Sequence, residues 1–368
     1  MEALKNAWYV AAWPEEIDEG NLVGRTILNE PILLYRKTDG TPVAIGNRCP
    51  HRFAPLHLGR HLGDTVRCGY HGLEFGEDGR CARNPHGNGT TPSHASVPTY
   101  PLVEKHSMLW IWMGSEPADE SLIADEFAFV ADPQRAHVKG SLNVKGNYML
   151  LVDNLMDLSH GLYLHAGTLS NEQMQESFLP KAHVEDGVVY CNREQPGIAP
   201  PALWVPSLPS GTETVDYFSN LSWHQPSNVI HPVGCRIVGK PEGVDGGVGS
   251  RSAHMFTPET DTTTHYFYSN SRDYGVDDPE ADKRIRGVLE RVFGTEDAPM
   301  IEAQQQMIGD VDLNSLRPAV IPSDRPMVLV RRQLAKLIAA EKARTAEQQP
   351  ATGRRDRDEV TPDAVPVG

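Results

Sequence analysis

Between Ala7 and Trp112 the apolar residues fall in short runs and alternations: NAWYVAAW, RTILNEPILLYRK, TPVAIGN, DTVRC, LEFGEDGRC and LVEKHSMLWIWMG. Each run is closed by turn-forming residues, and runs of this length predict small antiparallel strands rather than helices. The first 115 residues are therefore expected to form an all-β domain. After Gly114 the pattern lapses into the acidic stretch EPADESLIADEF, which reads as a linker.

Residues 116–346 mix the two periods. Helix-like spacing covers Met149–His160, Pro279–Phe293 and Val328–Ala346, and strand-like alternation covers Val215–Trp223, Val229–Val238, Arg251–Phe256 and His265–Ser269. This order predicts an α+β domain in which an antiparallel sheet is covered by helices. From Glu347 the chain is polar, aperiodic and Pro-containing, so 347–368 is expected to be a disordered tail.

Composition narrows the function classes. The formal charge of −15 comes from 49 acidic against 34 basic residues, and no basic stretch interleaved with aromatics occurs, which argues against nucleic acid or anionic lipid as a partner. No apolar run approaches the roughly 20 residues of a membrane span, and the N-terminus lacks the shape of a cleavable signal, so a cytoplasmic location is expected. The five cysteines are scattered through a long chain, which fits metal binding better than a disulfide framework.

Two loops concentrate the metal-binding residue types. Cys49-Pro50-His51 and Cys68-Gly69-Tyr70-His71 each offer one thiolate and one imidazole. A mixed-ligand [2Fe–2S] centre needs two thiolates on one iron and two neutral imidazoles on the other. A structural zinc ion is the alternative, although zinc sites usually take C-x2-4-C and H-x3-5-H pairs. A second concentration lies in NYMLLVDNLMDLSHGLYLH, where Asp153, Asn154, Asp157, His160 and His165 fall within thirteen residues. In an unbroken helix His160 and His165 would diverge by roughly 140°, too far for one ion. A kink or π-type irregularity at Gly161 is the expected remedy; the alternative is an amphipathic helix with a solvated acidic face.

The C-P-H-R and C-x-Y-H loops resemble the cluster loops of the Rieske domains of aromatic-ring oxygenases, and neither has the spare cysteine found in respiratory Rieske proteins. The D-N-x-x-D-x-x-H-x4-H segment resembles the iron-binding helix of the same family. This resemblance implies a Rieske [2Fe–2S] cluster on Cys49, His51, Cys68 and His71, and a mononuclear Fe(II) on His160, His165 and a carboxylate from the C-terminal part. Asp297 in GTEDAPMIE matches that carboxylate; Glu296 and Asp297 as first-turn acids after a Thr295 cap remain the alternative.

The resemblance also places Asn154 and Asp157 in the catalytic machinery. Asp157 matches an aspartate that links a cluster histidine of one subunit, here His71, to His160 of the next in a homotrimer; a local hydrogen bond to His160 is its simpler role.

Across nearly the whole chain the likeness is to the vanillate O-demethylase, dicamba O-demethylase and toluenesulfonate methyl-monooxygenase oxygenase subunits. It implies a monooxygenase acting on the methoxy carbon of a small aromatic acid, with formaldehyde and a phenol as products. Hydroxylation of a methyl group or ring is the alternative, and a Rieske electron carrier the remote one. Residues Val184 to His265 are expected to line the pocket, with His254 and His231 touching substrate and Arg251 on the opposite face of its strand. No G-x-G-x-x-G fingerprint occurs, so electrons are expected from a separate NAD(P)H-dependent reductase carrying flavin and a ferredoxin-type cluster.

Overall fold

The computed structural model describes residues 3–18, 20–171, 174, 180–240 and 246–348; of the tail 347–368 expected to be disordered, Glu347 and Gln348 instead close the last helix, and 349–368 lie outside the described residues. The N-terminal part is all β, as its short alternating runs require. Trp8–Ala12, Met108–Trp112 and Leu102–Lys105 form a three-stranded sheet, and Val23–Ile27, Glu30–Arg36, Pro42–Gly46 and Thr99–Tyr100 a four-stranded one. Four short strands, Arg60–His61, Val66–Arg67, Glu74–Phe75 and Cys81–Arg83, form a third sheet; the second Cys-His loop joins two of them, and the first follows Pro42–Gly46.

The C-terminal part is built on a seven-stranded antiparallel sheet. Its spatial order is Ala136–Val144, Thr264–Arg272, Gly247–Pro258, Asn228–Ile237, Val215–His224, Val188–Ile198 and Lys181–Glu185. Apart from Ala136–Val144, which pairs with the last strand, neighbours in space are neighbours in sequence. Helices α1 (Tyr148–Met156), α2 (Pro279–Arg291), α3 (Ala298–Ile308) and α4 (Arg325–Gln348) complete the unit.

The acidic stretch after Gly114 is more ordered than its composition suggests. Glu120–Leu122 and Asp125–Ala131 are 3-10 helices. Ile123, Phe127 and Phe129 join one buried cluster with Trp8, Trp110, Ile230, Met255 and Phe267, so this segment glues the three-stranded sheet to the large one.

Helix α1 starts where the Asn147 side chain accepts from the Met149 amide. It is apolar almost all round because it is sandwiched; Met149, Leu151 and Met156 share a core with Trp223 and Phe256 of the sheet and Val330 and Leu334 of α4. The helix ends at Met156, four residues short of the expected His160. The cause is Asp157, whose Oδ1 accepts from both the Ser159 amide (2.8 Å) and its hydroxyl (2.6 Å), a local turn that outcompetes helical continuation. The break thus falls at Asp157 rather than at Gly161, and His160–Leu162 form a separate 3-10 turn.

The expected irregularity of π type occurs elsewhere. Val292–Asp297 is a π-helix between α2 and α3. Pro299 has no amide hydrogen for the Thr295 carbonyl and its ring crowds that oxygen, so the preceding turn widens.

Candidate metal centres and substrate cavity

The two Cys-His loops have the same backbone design. The Phe53 amide donates to the Cys49 carbonyl and the Cys49 amide to the Ala54 carbonyl; likewise Gly72 donates to Cys68 and Cys68 to Leu73, all at 2.8–3.0 Å. The fourth residue after each cysteine has positive φ, 60° at Phe53 and 74° at Gly72, the left-handed conformation that closes both loops. Cys49 and Cys68 are buried beneath, and the His51 and His71 rings meet above them, 4.4 Å between centroids.

This donor set fits a Rieske cluster. Burial, with the Cys68 thiol beside it, pushes the Cys49 thiol up to about 11, so this thiol needs a cationic centre to ionise near neutral pH. Backbone amides of His51 and Arg52 point at the Cys49 sulfur, the kind of donor that tunes such a centre. Desolvation, with His51 and His86 nearby, lowers the pKa of His71 and keeps its imidazole neutral. His86 was not foreseen from the sequence; its Nε2 bonds the His71 carbonyl at 2.8 Å.

In the C-terminal unit the structure brings His160, His165 and Asp297 together, with one ligand atom of each within 4.8 Å of the others. Asp297 Oδ1 lies 3.6 Å from His160 Nε2 and 3.3 Å from His165 Nε2. The outward nitrogens are held from behind. His160 Nδ1 bonds the Asp157 carbonyl, and His165 Nδ1 bonds Glu296 Oε2 at 2.7 Å, so both rings turn Nε2 toward Asp297.

Burial opposes protonation of His165, yet the Asp297 and Glu296 carboxylates outweigh it and raise its pKa. Such an acidic, half-buried pocket fits a divalent cation. Two imidazoles and one carboxylate on one side of a point are the facial set of non-haem Fe(II) sites, with positions left open.

Asn154 Nδ2 donates to Asp297 Oδ1 at 3.2 Å and so ties α1 to the π-helix. Glu296, the other acid of the pair, is turned away from the cluster; Arg291 Nε (2.8 Å) and Thr168 Oγ1 (3.2 Å) also bond it. Thr295 makes no N-cap, since its hydroxyl donates to the Arg291 carbonyl. Among the described residues the Asp157 carboxylate bonds Ser159 alone, leaving its backbone oxygen as the local contact to His160. Asp153 serves packing, paired to Arg331 of α4.

A cavity of about 130 Å³ opens beside His160, His165 and Asp297. Leu155, Leu158, Leu203, Val288 and Phe293 supply apolar walls, and His231, Ser252 and His254 line the sheet side. Arg251 faces the other way, over the Phe129 ring at 4.6 Å, which removes it as a substrate donor. His254 Nδ1 bonds the Tyr266 hydroxyl at 2.7 Å, and His231 Nε2 the Ser219 hydroxyl at 2.8 Å. Burial lowers the pKa of both histidines, His231 to about 4, so both are neutral near pH 7. Arg193, which the sequence reading passed over, is buried in the cavity wall.

Comparison with known proteins follows the same division. Residues 7–101 match the Rieske [2Fe-2S] domain family, and residues 144–340 match the vanillate O-demethylase oxygenase C-terminal domain family. The chain is 38% identical to the dicamba O-demethylase oxygenase component of Stenotrophomonas maltophilia, covering 93% of this chain and 100% of the relative. It is also 38% identical to the chloroacetanilide N-alkylformylase oxygenase component of Rhizorhabdus wittichii (92% and 96% covered). Identity to a vanillate O-demethylase oxygenase subunit from a Pseudomonas species is 31% (92% and 95% covered).

Among solved structures, dicamba monooxygenase bound to dicamba superimposes with a TM-score of 0.84 at 37% identity, over 92% of this chain and 99% of that one. The same enzyme with non-haem iron and dicamba gives 0.78 at 38% identity, over 93% and 99%. With both family models matched and relatives aligned end to end, the chain belongs to the Rieske oxygenase components of vanillate O-demethylase type, monooxygenases that carry a [2Fe–2S] cluster and a mononuclear iron.

Proposed function

We propose that this oxygenase component hydroxylates the methoxy carbon of a small aromatic acid, giving a hemiacetal that collapses to a phenol and formaldehyde. The carrying observation is the cluster of His160, His165 and Asp297 at the mouth of a mainly apolar cavity with a polar sheet side. In balance, the methoxyarene, O2, two electrons and two protons give the phenol, formaldehyde and water. Fe(II) held by His160, His165 and Asp297 would supply the centre at which O2 is reduced; Cys49, His51, Cys68 and His71 would hold the cluster that delivers electrons one at a time.

The remaining work falls to the chain's own groups. Asp157 O and Glu296 fix the two imidazoles, and Asn154 fixes the Asp297 carboxylate. The leucines and Phe293 exclude water around the methoxy group. His254 Nδ1 is paired with the Tyr266 hydroxyl, which leaves Nε2, an atom with no hydrogen-bond partner among the described residues, for a substrate oxygen.

Residues 1–115 form the Rieske unit and 116–346 the catalytic unit of this reading. The working assembly is a homotrimer in which Asp157 couples His71 of one chain to His160 of the next. It is supported by exposed Phe53, Leu58 and Tyr70 around the cluster loops and by the groove beside Asp157 that Tyr163, Met300 and Val320 line. Electrons come from an NAD(P)H-dependent reductase with flavin and a ferredoxin-type cluster.

The test is incubation with such a reductase, NADH and vanillate, veratrate, syringate, 3-methoxybenzoate or toluenesulfonate. Formaldehyde from a methoxybenzoate is the expected product, and benzylic alcohol from toluenesulfonate alone would replace this reading with methyl hydroxylation. Sedimentation as a fully active monomer would refute the trimer. Among the described residues no helix is long and apolar enough to cross a membrane.

A further inference from the structure

The cavity's sheet side is ordered in rows. Arg193, Ser219, Val233 and Ser250 are directly opposed across four adjacent strands, and His231, Ser252 and Asn270 form the next row. Directly paired residues share a face, and every one of these lines the cavity. From His254 to Ser250 this polar floor runs four residues along one strand, about 13 Å at the usual rise.

The two rows are tied together. The Asn270 amide donates to Ser250 Oγ and Ser252 Oγ, both at 2.9 Å, so each hydroxyl oxygen is already accepting and its proton is left to donate. Ser219 and His231 bond each other at 2.8 Å. Arg193 is 3% exposed, its Nη2 donates to the Met174 carbonyl at 2.9 Å, and its guanidinium lies 5.8 Å from the Tyr217 ring. Among the described cavity residues it is the single Lys or Arg. The remaining lining is mainly Leu, Val and Phe, with Ser170, Trp204 and Tyr274 as uncharged polar groups, so an anion entering the cavity finds its arginine counter-charge on this floor.

We propose that Arg193, with the hydroxyls of Ser250 and Ser252 ordered by Asn270 and that of Ser219 held against His231, is the subsite for the substrate's acid group, an aromatic carboxylate or sulfonate. Arg193 supplies the counter-charge, and the two histidines serve the neutral oxygens of the substrate. This rests on the demethylase reading for its ligand class, but binding tests it without turnover.

The experiment is anaerobic calorimetric titration of the holoprotein with 3-methoxybenzoate, 3-methoxybenzenesulfonate and the neutral 3-methoxybenzamide. Wild type should bind at least one of the two acids at least 10-fold more tightly than the amide. Arg193→Met should weaken the better acid by ~30-fold or more, the cost of removing one member of a buried charge pair, and the amide by less than about 3-fold. Arg193→Lys should recover part of the loss, and Ser252→Ala should weaken the acid several-fold. An intact Rieske spectrum together with wild-type mononuclear iron content certifies each variant as folded; should Arg193→Met fail that check, the Lys and Ser252→Ala variants decide.

Equal binding of acids and amide by wild type overturns the subsite, as does a folded Arg193→Met that keeps the preference, or an Arg193→Lys and Ser252→Ala pair that both do. Acid binding with this pattern but no formaldehyde from any methoxy acid removes the demethylase reading and leaves the subsite standing.

Discussion

Glu296 gives the sharpest test of how the iron site is held, because it adjoins Asp297 in sequence yet holds the opposite nitrogen of the same histidine, His165. Its Oε2 accepts from Nδ1 of a histidine that is only 3% exposed, at 2.7 Å. Truncation to Ala leaves that N–H buried without its acceptor and frees the ring to rotate. A hydrogen bond to a charged partner of this kind contributes about 1.5–3 kcal/mol, and loss of an outer carboxylate typically costs about 10–100-fold in metal affinity.

Glu296→Ala should therefore weaken Fe(II) binding by about 10–100-fold. Glu296→Gln, which retains an acceptor oxygen, should fall between it and wild type. The partner Arg291 is 64% exposed on its side chain, so Arg291→Ala should change affinity by no more than a few fold. The assay is competition with a ferrous chelator, the Rieske absorption serving as the internal standard for folded protein. If Glu296→Ala abolishes iron binding as completely as Asp297→Ala, Glu296 is a ligand; if neither Glu296 variant shifts affinity, its bond to His165 does not orient the ring.

Three further outcomes follow. Ala at His160, His165 or Asp297 should remove mononuclear iron and turnover while the Rieske electron paramagnetic resonance signal persists; iron retained in Asp297→Ala would refute that ligand. Gly72 has φ of 74° and a Cβ there would sit 3.2 Å from Pro85, so Gly72→Val should destabilise the cluster domain by about 1–2 kcal/mol or more, read as earlier thermal bleaching, whereas Phe53→Gly at the matching position should not. Asp157→Asn should keep both metals and slow cluster-to-iron electron transfer in stopped-flow, and an unchanged rate would confine Asp157 to its bond with Ser159.

Much of this was legible in the sequence because two periods and two motifs carry it. Strict alternation in Val215–Trp223 and Arg251–Phe256 survives as strands whose inward residues are Tyr217, Ser219, Ser252 and His254, and it correctly sends Arg251 to the far face. The paired C-x-H and C-x-x-H spacing maps onto two loops of identical hydrogen bonding.

Helix ends were harder. A periodic pattern runs on through Asp157, and only the competing turn to Ser159 shows why α1 stops there. The packed 3-10 helices after Gly114 look like a polar linker because their few apolar residues, Ile123, Phe127 and Phe129, have partners more than a hundred residues away in the large sheet. Arg193 was visible only as a parity signal: in VVYCNR it shares a face with Val189 and Cys191, both buried, which is an unusual place for a guanidinium.

The central claim is that the cluster on Cys49, His51, Cys68 and His71 and the iron on His160, His165 and Asp297 act together on a methoxy carbon. A single turnover measures it most directly. Holoprotein is reduced, freed of reductant, and mixed with O2 and each methoxybenzoate while cluster absorption and formaldehyde are followed. One electron from each centre supplies the two that a hydroxylation needs, so the account predicts cluster reoxidation with up to one formaldehyde per mononuclear iron, and none from Asp297→Ala. Cluster reoxidation without formaldehyde from any of the acids, or formaldehyde from the Asp297→Ala protein, would contradict it.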